Sequence, residues 1–315
     1  MCTAIDMRKG RHLFGRTLDL EKSYGEEIVI TPSGFLFEDF KTKYSIIGTA
    51  MVQNGIPLYF DGMNEAGLCA AALNYPHFAF YGKERPSAVN MPSYALLHRV
   101  LGICSTVDEA EKMLSEVNVT DVSFSPQLPS TPLHWIVVDG KRSLIAEPND
   151  GRLSLYDNDV GVMTNSPPFP YQRLRLCDYL GLTADPPTNK ICPSADIFSY
   201  SRGLGSIGLP GDHSSSSRFI RAVFTSQNTV STSTPVSDFF HIADSVSIPS
   251  GTVIAENGSP VRTVYTCCAD PSSLTYYFTT YDCRRIRGIR LRPDTDDRLV
   301  CFKMSKKEDI ESLNM

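Results

Sequence analysis

The sequence of 315 residues contains no apolar run of the roughly 18 to 20 residues that a helix needs to cross a membrane. The most apolar stretch near a predicted helix, Tyr94–Cys104, is interrupted by His98 and Arg99. The first residues also lack the charged and apolar regions of a secretory signal peptide. We therefore predict a cytoplasmic protein that does not bind membranes.

The sequence also lacks features that two further classes of partner require. Lysine and arginine (30) are outnumbered by aspartate and glutamate (35), which gives a formal net charge of −5. Nucleic-acid binding needs a positive surface, so this charge argues against nucleic acid as a partner. The nine cysteines include no C-x-x-C pair and no Cys/His spacing typical of zinc. We expect no metal and no cofactor.

Short segments rich in Ile, Val, Phe and Tyr predict strands, and amphipathic segments between them predict helices. The predicted strands are Cys2–Met7, His12–Asp19, Glu26–Pro32, Tyr44–Val52, Pro57–Asn64, Leu68–Asn74, Leu133–Asp139, Ser143–Pro148, Arg152–Tyr156, Gly161–Thr164, Arg262–Cys267, Thr275–Tyr281 and Arg287–Leu291. The predicted helices are Ser93–Cys104, Thr106–Val117, Tyr171–Leu180, Ser217–Ser226 and Ser237–Val246. Blocks of strands and blocks of helices are typical of an α+β fold with mainly antiparallel sheets. No linker divides the chain, so we predict one domain over residues 1–315.

Cys2 is the cysteine whose position suggests chemistry, because it directly follows the initiator Met1. Methionine aminopeptidases remove Met before small residues, and the chain would then begin at Cys2. That residue would carry both a thiol and a free α-amine, whose pKa of about 7.7–8.0 allows it to accept the thiol proton near neutral pH. Such a pairing activates nucleophiles in known enzymes. Position alone is also compatible with an ordinary residue of the first strand.

A series of short motifs accompanies Cys2 along nearly the whole chain. In order, they are Met1–Ile5, Phe14–Asp19, Tyr24–Glu26, Asp61–Leu68, Leu73–Pro76, Leu133–Trp135, Thr164–Pro167, Leu209–Asp212 and Ser217–Arg221. Each motif alone is weak, but together and in this order they resemble the choloylglycine hydrolase family, which includes bile salt hydrolases and penicillin V acylases.

The resemblance implies a four-layer αββα sandwich of the N-terminal-nucleophile hydrolase type, with Cys2 as the nucleophile once Met1 is removed. It implies that Arg16 lies beside the sulfur and that Asp19 accepts a hydrogen bond from the α-amine. Without the resemblance, the two residues would be interpreted as a surface ion pair. In a regular strand their side chains face opposite sides, so we expect a bend between them if both reach Cys2.

Three further residues follow from the same resemblance. Asn74 and Asn165 are expected to frame the oxyanion hole, where amide donors stabilise a tetrahedral intermediate. Arg218 is expected to complete the polar network. Both asparagines also precede Pro-containing turns, where Asn is common for backbone reasons alone.

The resemblance favours a conjugated bile salt as substrate, because bile salt hydrolases commonly carry Asn where penicillin V acylases often carry Tyr, and this chain has Asn74. The amide would be hydrolysed through an acyl-thioester, with transfer of the acyl group to another amine as a side activity. An amphipathic steroid needs an apolar cleft, and five residues stand where the family lines its pocket: Leu18, Leu20, Tyr24, Phe60 and Leu133. Plain core packing would explain the same five residues.

Ser201-Arg202-Gly203 resembles a segment associated with taurine conjugates in related enzymes. A guanidinium suits a sulfonate, so we expect taurine conjugates to be preferred over glycine conjugates, although a solvated loop cation is the alternative for Arg202. The family also implies a homotetramer. Two other functions stay open: a penicillin V or acyl-homoserine-lactone acylase with the same mechanism, and a non-catalytic amphiphile-binding protein on the same fold.

Overall fold

The computed structural model describes residues 1–292 and 298–313. Its strands are β1 (Cys2–Met7), β2 (Leu13–Leu20), β3 (Glu27–Thr31), β4 (Ile46–Gln53), β5 (Ile56–Asn64), β6 (Cys69–Asn74), β7 (Val89–Pro92), β8 (Val117–Thr120), β9 (Leu133–Val138), β10 (Ser143–Asn149), β11 (Arg152–Asp157), β12 (Val162–Met163), β13 (Val253–Ile254), β14 (Pro260–Asp270), β15 (Thr275–Thr280), β16 (Arg287–Arg290) and β17 (Val300–Lys303). Its α-helices are α1 (Leu96–Ile103), α2 (Val107–Ser115), α3 (Phe169–Arg175), α4 (Ser215–Asn228) and α5 (Pro235–Asp244). Short 3-10 helices cover Ser93–Ala95, Leu176–Tyr179 and Leu204–Ser206.

Two antiparallel sheets lie face to face, with helices on their outer sides. The first sheet has the order β12-β1-β2-β14-β15-β16, with β13 paired to β14, and the second has the order β11-β10-β9-β6-β5-β4-β3-β17. Helices α4 and α5 pack on the first sheet, and α1 and α2 pack on the second. The predicted α+β class and αββα sandwich are therefore confirmed.

The second sheet is buried on both of its faces. In β6 and β9, Leu73 and Ile136 belong to the apolar core between the two sheets. Their neighbours Ala72 and Trp135 belong to a second core beneath α1 and α2. Because successive residues of a strand point to opposite faces, such strands are apolar at nearly every position. This is why they are recognisable as short apolar runs in the sequence.

The predicted elements differ from the observed ones mainly at their ends, where helices and strands are hardest to delimit. The helix predicted over Thr106–Val117 ends at Ser115, and Val117 begins β8. The helix predicted over Tyr171–Leu180 is α3 followed by a 3-10 helix. The sequence does not predict the strands β7, β8, β13 and β17, each of which has only two to four residues.

Within the described residues, no helix has both the length and the apolar character that crossing a membrane requires.

Gly15 determines how closely β2 approaches β14. A Cβ atom at this position would lie 1.9 Å from the carbonyl oxygen of Cys267. We expect Gly15→Ala to lower the free energy of unfolding by about 1–3 kcal/mol, because the two strands would have to separate. Urea denaturation of Gly140→Ala provides the matched control, since nothing lies within 4 Å of a Cβ placed there. Equal destabilisation by the two substitutions would contradict the prediction.

Candidate active site

Cys2 is the first residue of β1 and pairs with Leu18 of β2. Its side chain is only 2% exposed and lies in the core between the two sheets, together with that of Ala4. Its backbone N–H donates to Asn165 Oδ1 at 2.8 Å. The thiol and the backbone nitrogen of Cys2 therefore have separate environments.

Arg16 extends from β2 into the place where two strands of the second sheet diverge. Strands β5 and β6 stay paired as far as Asp61 and Ala71. Beyond that point, Arg16 Nη1 donates to the carbonyl oxygens of Ala72 at 2.7 Å and Phe60 at 3.2 Å. The guanidinium thus provides a donor for two carbonyl groups where the strand pairing has ended.

The charge of Arg16 is coupled to Cys2. Burial alone would lower the pKa of Arg16, but electrostatic interactions with Cys2, Tyr265 and Asp61 outweigh burial and raise that pKa above its ordinary value. The Nη2 atom of Arg16 is buried and has no hydrogen-bond partner among the described residues. Arg16 therefore remains a cation that favours the thiolate form of a neighbouring cysteine.

Asp61 is a buried carboxylate for which the sequence predicts no role. It accepts hydrogen bonds from the phenols of Tyr265 and Tyr276, and from Cys267 Sγ at 3.3 Å. Burial raises the pKa of Asp61, although the Arg16 charge and the tyrosine hydrogen bonds act in the opposite direction. An aspartate inside an otherwise apolar strand is the sequence signal that could have identified it.

Asp19 lies on the opposite face of β2 from Arg16. It accepts hydrogen bonds from Thr17 Oγ1 at 3.1 Å and Thr263 Oγ1 at 2.6 Å, and lies 3.9 Å from Arg218. Strand β2 continues without interruption through both residues, so the bend considered from the sequence is not needed. The two charged side chains act from opposite faces of one strand.

Arg218 connects α4 to β1, the strand that carries Cys2. Its Nη1 donates to the Cys2 carbonyl oxygen at 2.5 Å and to Thr3 Oγ1 at 2.7 Å, and its Nη2 donates to Asn165 Oδ1 at 2.8 Å. Burial lowers the pKa of Arg218, and the charges of Asp19 and Cys2 oppose that change. Arg218 thereby holds both Cys2 and the Asn165 side chain that contacts it.

The two predicted oxyanion-hole asparagines, Asn74 and Asn165, differ in the hydrogen bonds that their side chains make. Asn165 accepts from Cys2 and Arg218 through Oδ1, and its Nδ2 donates to the Asn74 carbonyl oxygen at 2.7 Å. The Asn74 side chain makes no hydrogen bond with any described residue, and its Oδ1 is buried. Asn74 Nδ2 is therefore a donor that remains available to a substrate.

A buried pair supports the segment that carries Asn165. His134 Nε2 contacts the Thr164 carbonyl oxygen at 2.9 Å, and Nδ1 lies 3.3 Å from Glu147 Oε1. Glu147 also accepts from the Phe169 backbone N–H at 2.9 Å. Both ring nitrogens of His134 are engaged in this way, so it holds residues 164–169 and does not serve as a base for Cys2.

An apolar cleft of about 240 Å³ begins at Cys2, Arg16 and Asn74. All five apolar residues predicted to contact the substrate line it: Leu18, Leu20, Tyr24, Phe60 and Leu133. Arg202 does not line this cleft, and its side chain is exposed. Of the predicted catalytic residues, Cys2, Arg16 and Asn74 therefore line the cleft, whereas Arg202 lies outside it.

Part of the cleft wall comes from residues that the sequence does not single out. The loop between β8 and β9 contributes Phe124, Leu128, Pro129, Ser130 and Thr131. Residues near the start of α1, including Ser93 and Tyr94, line the same side. Loop residues carry no periodic pattern, so only their position in the fold identifies them.

Comparison with known proteins agrees with this geometry. Residues 2–299 match the family model described as linear amide C-N hydrolases, choloylglycine hydrolase family. A bile salt hydrolase/transferase from Lactiplantibacillus plantarum is 39% identical over 324 residues, covering 100% of both chains. A conjugated bile acid hydrolase from Lactobacillus acidophilus is 33% identical, covering 94% of this chain and 97% of its own.

Solved structures show the same fold. A mutant conjugated bile acid hydrolase from Clostridium perfringens superposes with a TM-score of 0.93 at 30% identity, covering 100% of both chains. A penicillin V acylase from Agrobacterium tumefaciens has a TM-score of 0.71 at 22% identity, covering 92% of this chain and 86% of its own, which shows a shared fold alone. Sequence and structure together establish that the chain belongs to the choloylglycine hydrolase family of linear amide C–N hydrolases.

Proposed function

We propose that the protein hydrolyses the amide bond of conjugated bile salts, with Cys2 as the nucleophile after removal of Met1. The observation that carries the proposal is the position of Cys2, Arg16 and Asn74 at one end of an apolar cleft. Relatives named bile salt hydrolase/transferase and conjugated bile acid hydrolase support the choice of substrate. A steroid supplies the large apolar surface that such a cleft can bury.

In the first step, the Cys2 thiolate attacks the amide carbonyl and forms a C–S bond. Arg16 stabilises the thiolate, and Asn74 Nδ2 donates to the oxygen as it becomes negative. Asn165 Oδ1 contacts the Cys2 nitrogen already, and it would orient the α-amine once Met1 is gone. We assign Asp19 the role of a second acceptor for the α-amine, since its backbone exchanges hydrogen bonds with Met1.

In the second step, the C–N bond breaks as the protonated α-amine gives its proton to the leaving taurine or glycine. The bile acyl group remains on sulfur as a thioester. Water then attacks the thioester while the neutral α-amine accepts a proton, and the bile acid leaves with regeneration of the thiol. An amine that replaces water would yield a new conjugate, so acyl transfer is included in the proposal as a side activity.

The proposal includes a preference for taurine conjugates that involves Arg202. Arg202 is exposed and is absent from the cleft lining, so it would contact the sulfonate outside the apolar cleft, at the amine end of the substrate. A guanidinium presents several fixed donors that suit a sulfonate. We also place the reaction in the cytoplasm, where reducing conditions keep a catalytic thiol free.

Amine release from taurocholate, glycocholate and penicillin V in reducing buffer tests the reaction. We expect release from both bile salts by the wild type and background release by Cys2→Ala, because the acyl-enzyme cannot form without the sulfur. Cys283→Ala, which removes another buried cysteine, is the matched control and should keep the activity. Release from penicillin V alone would contradict bile salts as the substrate and keep the mechanism. Unchanged release by Cys2→Ala would overturn the mechanism.

The conjugate preference has its own measurement. We expect kcat/KM for taurocholate to exceed that for glycocholate, and Arg202→Ala to lower this ratio about 2- to 10-fold, in keeping with the loss of one charge-assisted hydrogen bond. Arg152→Ala removes an exposed arginine of β11 and should leave the ratio unchanged. A wild type that prefers glycocholate, or a ratio that Arg202→Ala does not alter, would remove this part of the proposal.

We further propose a homotetramer. Several large apolar side chains in the region of residues 174–207 are exposed, as expected for a surface that contacts other subunits: Leu174, Leu180, Ile191, Phe198, Tyr200 and Ile207. Light scattering coupled to size exclusion should give four times the chain mass. A monomer at micromolar concentration would contradict this expectation.

A further inference from the structure

We propose that Thr263 is a positioning residue for the reaction: its hydroxyl holds the Asp19 carboxylate in the orientation that the α-amine of Cys2 needs after removal of Met1. The inference rests on the proposed function and adds a residue that touches neither the substrate nor the reacting atoms. Thr263 belongs to β14, in which none of the sequence motifs of the site lies.

The Asp19 carboxylate is completely buried, and each of its two oxygens accepts a hydrogen bond from a different threonine. Thr17 Oγ1 donates to Oδ2 at 3.1 Å, and Thr263 Oγ1 donates to Oδ1 at 2.6 Å. Thr17 is on β2, the strand that carries Asp19, whereas Thr263 is on the neighbouring strand β14. The shorter of the two hydrogen bonds therefore fixes the carboxylate relative to a second strand.

The neighbours of Thr263 determine the direction in which its hydroxyl donates. The backbone N–H of Ile248 donates to Thr263 Oγ1 at 2.8 Å, and the backbone N–H of Thr263 donates to the Ile248 carbonyl oxygen at 3.0 Å. A hydroxyl has one proton to donate, and an ionised carboxylate can only accept. Because Thr263 Oγ1 already accepts from Ile248, its proton points to Asp19.

A bulge in β14 separates the side chains of Thr263 and Tyr265 onto opposite faces. Thr263 pairs with Asp19 and Tyr265 pairs with Leu18, so Val264 is an extra residue between two consecutive pairs. In a regular strand, Thr263 and Tyr265 would face the same side, because side chains alternate with a period of two. Here Val264 and Tyr265 both belong to the core between the sheets, and Thr263 contacts Asp19 on the other face. Bulges next to active sites re-aim side chains in this way.

The bulge allows one strand to hold both carboxylates of the site. The Tyr265 phenol donates to Asp61 between the sheets, and the Thr263 hydroxyl donates to Asp19 on the opposite face. Valine at position 263 would fill the same space. It would leave both Asp19 Oδ1 and the Ile248 N–H without their threonine partner, so the hydroxyl and not the shape of this side chain serves the site.

The effect on the reaction follows from the role that we assign to Asp19. The α-amine takes the thiol proton and later gives a proton to the departing amine, and Asp19 orients it for both transfers. A carboxylate that has lost one of its donors can rotate, and the amine is then aligned less often. Thr263 is not among the residues that line the cleft. Loss of its hydroxyl should therefore lower kcat and leave KM nearly unchanged.

Steady-state kinetics with taurocholate tests this expectation. We expect Thr263→Val to lower kcat about 5- to 50-fold at nearly constant KM, and Thr263→Ser, which keeps the hydroxyl, to stay within about 3-fold of the wild type. Thr266→Val is the matched control. Thr266 is a buried threonine of the same strand and lines, with Thr263, a cavity of about 350 Å³, but it is not among the described residues that donate to Asp19.

The outcomes separate the inference from the proposed function. Thr266→Val should keep the kcat of the wild type. An unchanged kcat in Thr263→Val, or an equal loss in Thr263→Ser, would overturn the inference. Absence of turnover by the wild type would overturn the proposed function instead. Thr263→Ala also removes the hydroxyl, and it provides the same comparison if urea denaturation shows that the valine variant does not fold.

A substrate with a different leaving group provides the second measurement. The p-nitrophenyl ester of cholic acid releases a nitrophenolate that needs no proton, so the α-amine has only the thiol proton to accept. We expect Thr263→Val to lower kcat/KM for taurocholate at least about 3-fold more than kcat/KM for the ester. A loss of the same size with both substrates would contradict a role in positioning the proton donor and would also overturn the inference.

Discussion

Two arginine side chains are buried on opposite sides of strands β1 and β2, and the groups around them are arranged so that both stay charged. Arg16 and Arg218 are 1% and 0% exposed. Moving such an ion out of water costs several kcal/mol, which is recovered only through well-placed partners. Arg16 has the carbonyl groups of the diverging strands, and Arg218 has the Cys2 carbonyl and Asn165.

Each buried arginine is also associated with a carboxylate. The Asp61 charge raises the pKa of Arg16, and Asp19 lies 3.9 Å from Arg218. The carboxylates are held in turn by hydroxyl donors, with two tyrosines around Asp61 and two threonines around Asp19. Such second contacts limit the rotamers of the arginines, and this precision is what an active site needs from its supporting residues. The large number of buried polar groups around Cys2 is therefore consistent with catalysis.

The divergence of β5 and β6 links this electrostatic arrangement to substrate binding. The gap that admits the Arg16 guanidinium also opens the second sheet towards the helices on its outer side. The cleft consequently extends from the thiol to the loop between β8 and β9. One irregularity in strand pairing thus accounts both for the buried cation beside Cys2 and for the cleft.

The sequence by itself determined the strand-rich layers and the nucleophile candidate, and its resemblance to the family named eight of the 21 residues that line the cleft. Local patterns carry this information: apolar runs mark buried strands, and the position of Cys2 after Met1 marks an amine and a thiol on one residue. The alternation of side chains in β2 also required Arg16 and Asp19 to face opposite sides. Asn165 and Arg218 were identified from the order of motifs that the chain shares with the family. No local sequence pattern relates residues that are so far apart.

The tertiary structure alone decided which distant groups meet. The contacts of Asp61 with Tyr265 and Tyr276, the exposed position of Arg202 and the loop that covers the cleft all depend on strand order and on the divergence of β5 and β6. These relations join residues that are up to 215 positions apart, and neither period nor propensity encodes such pairings.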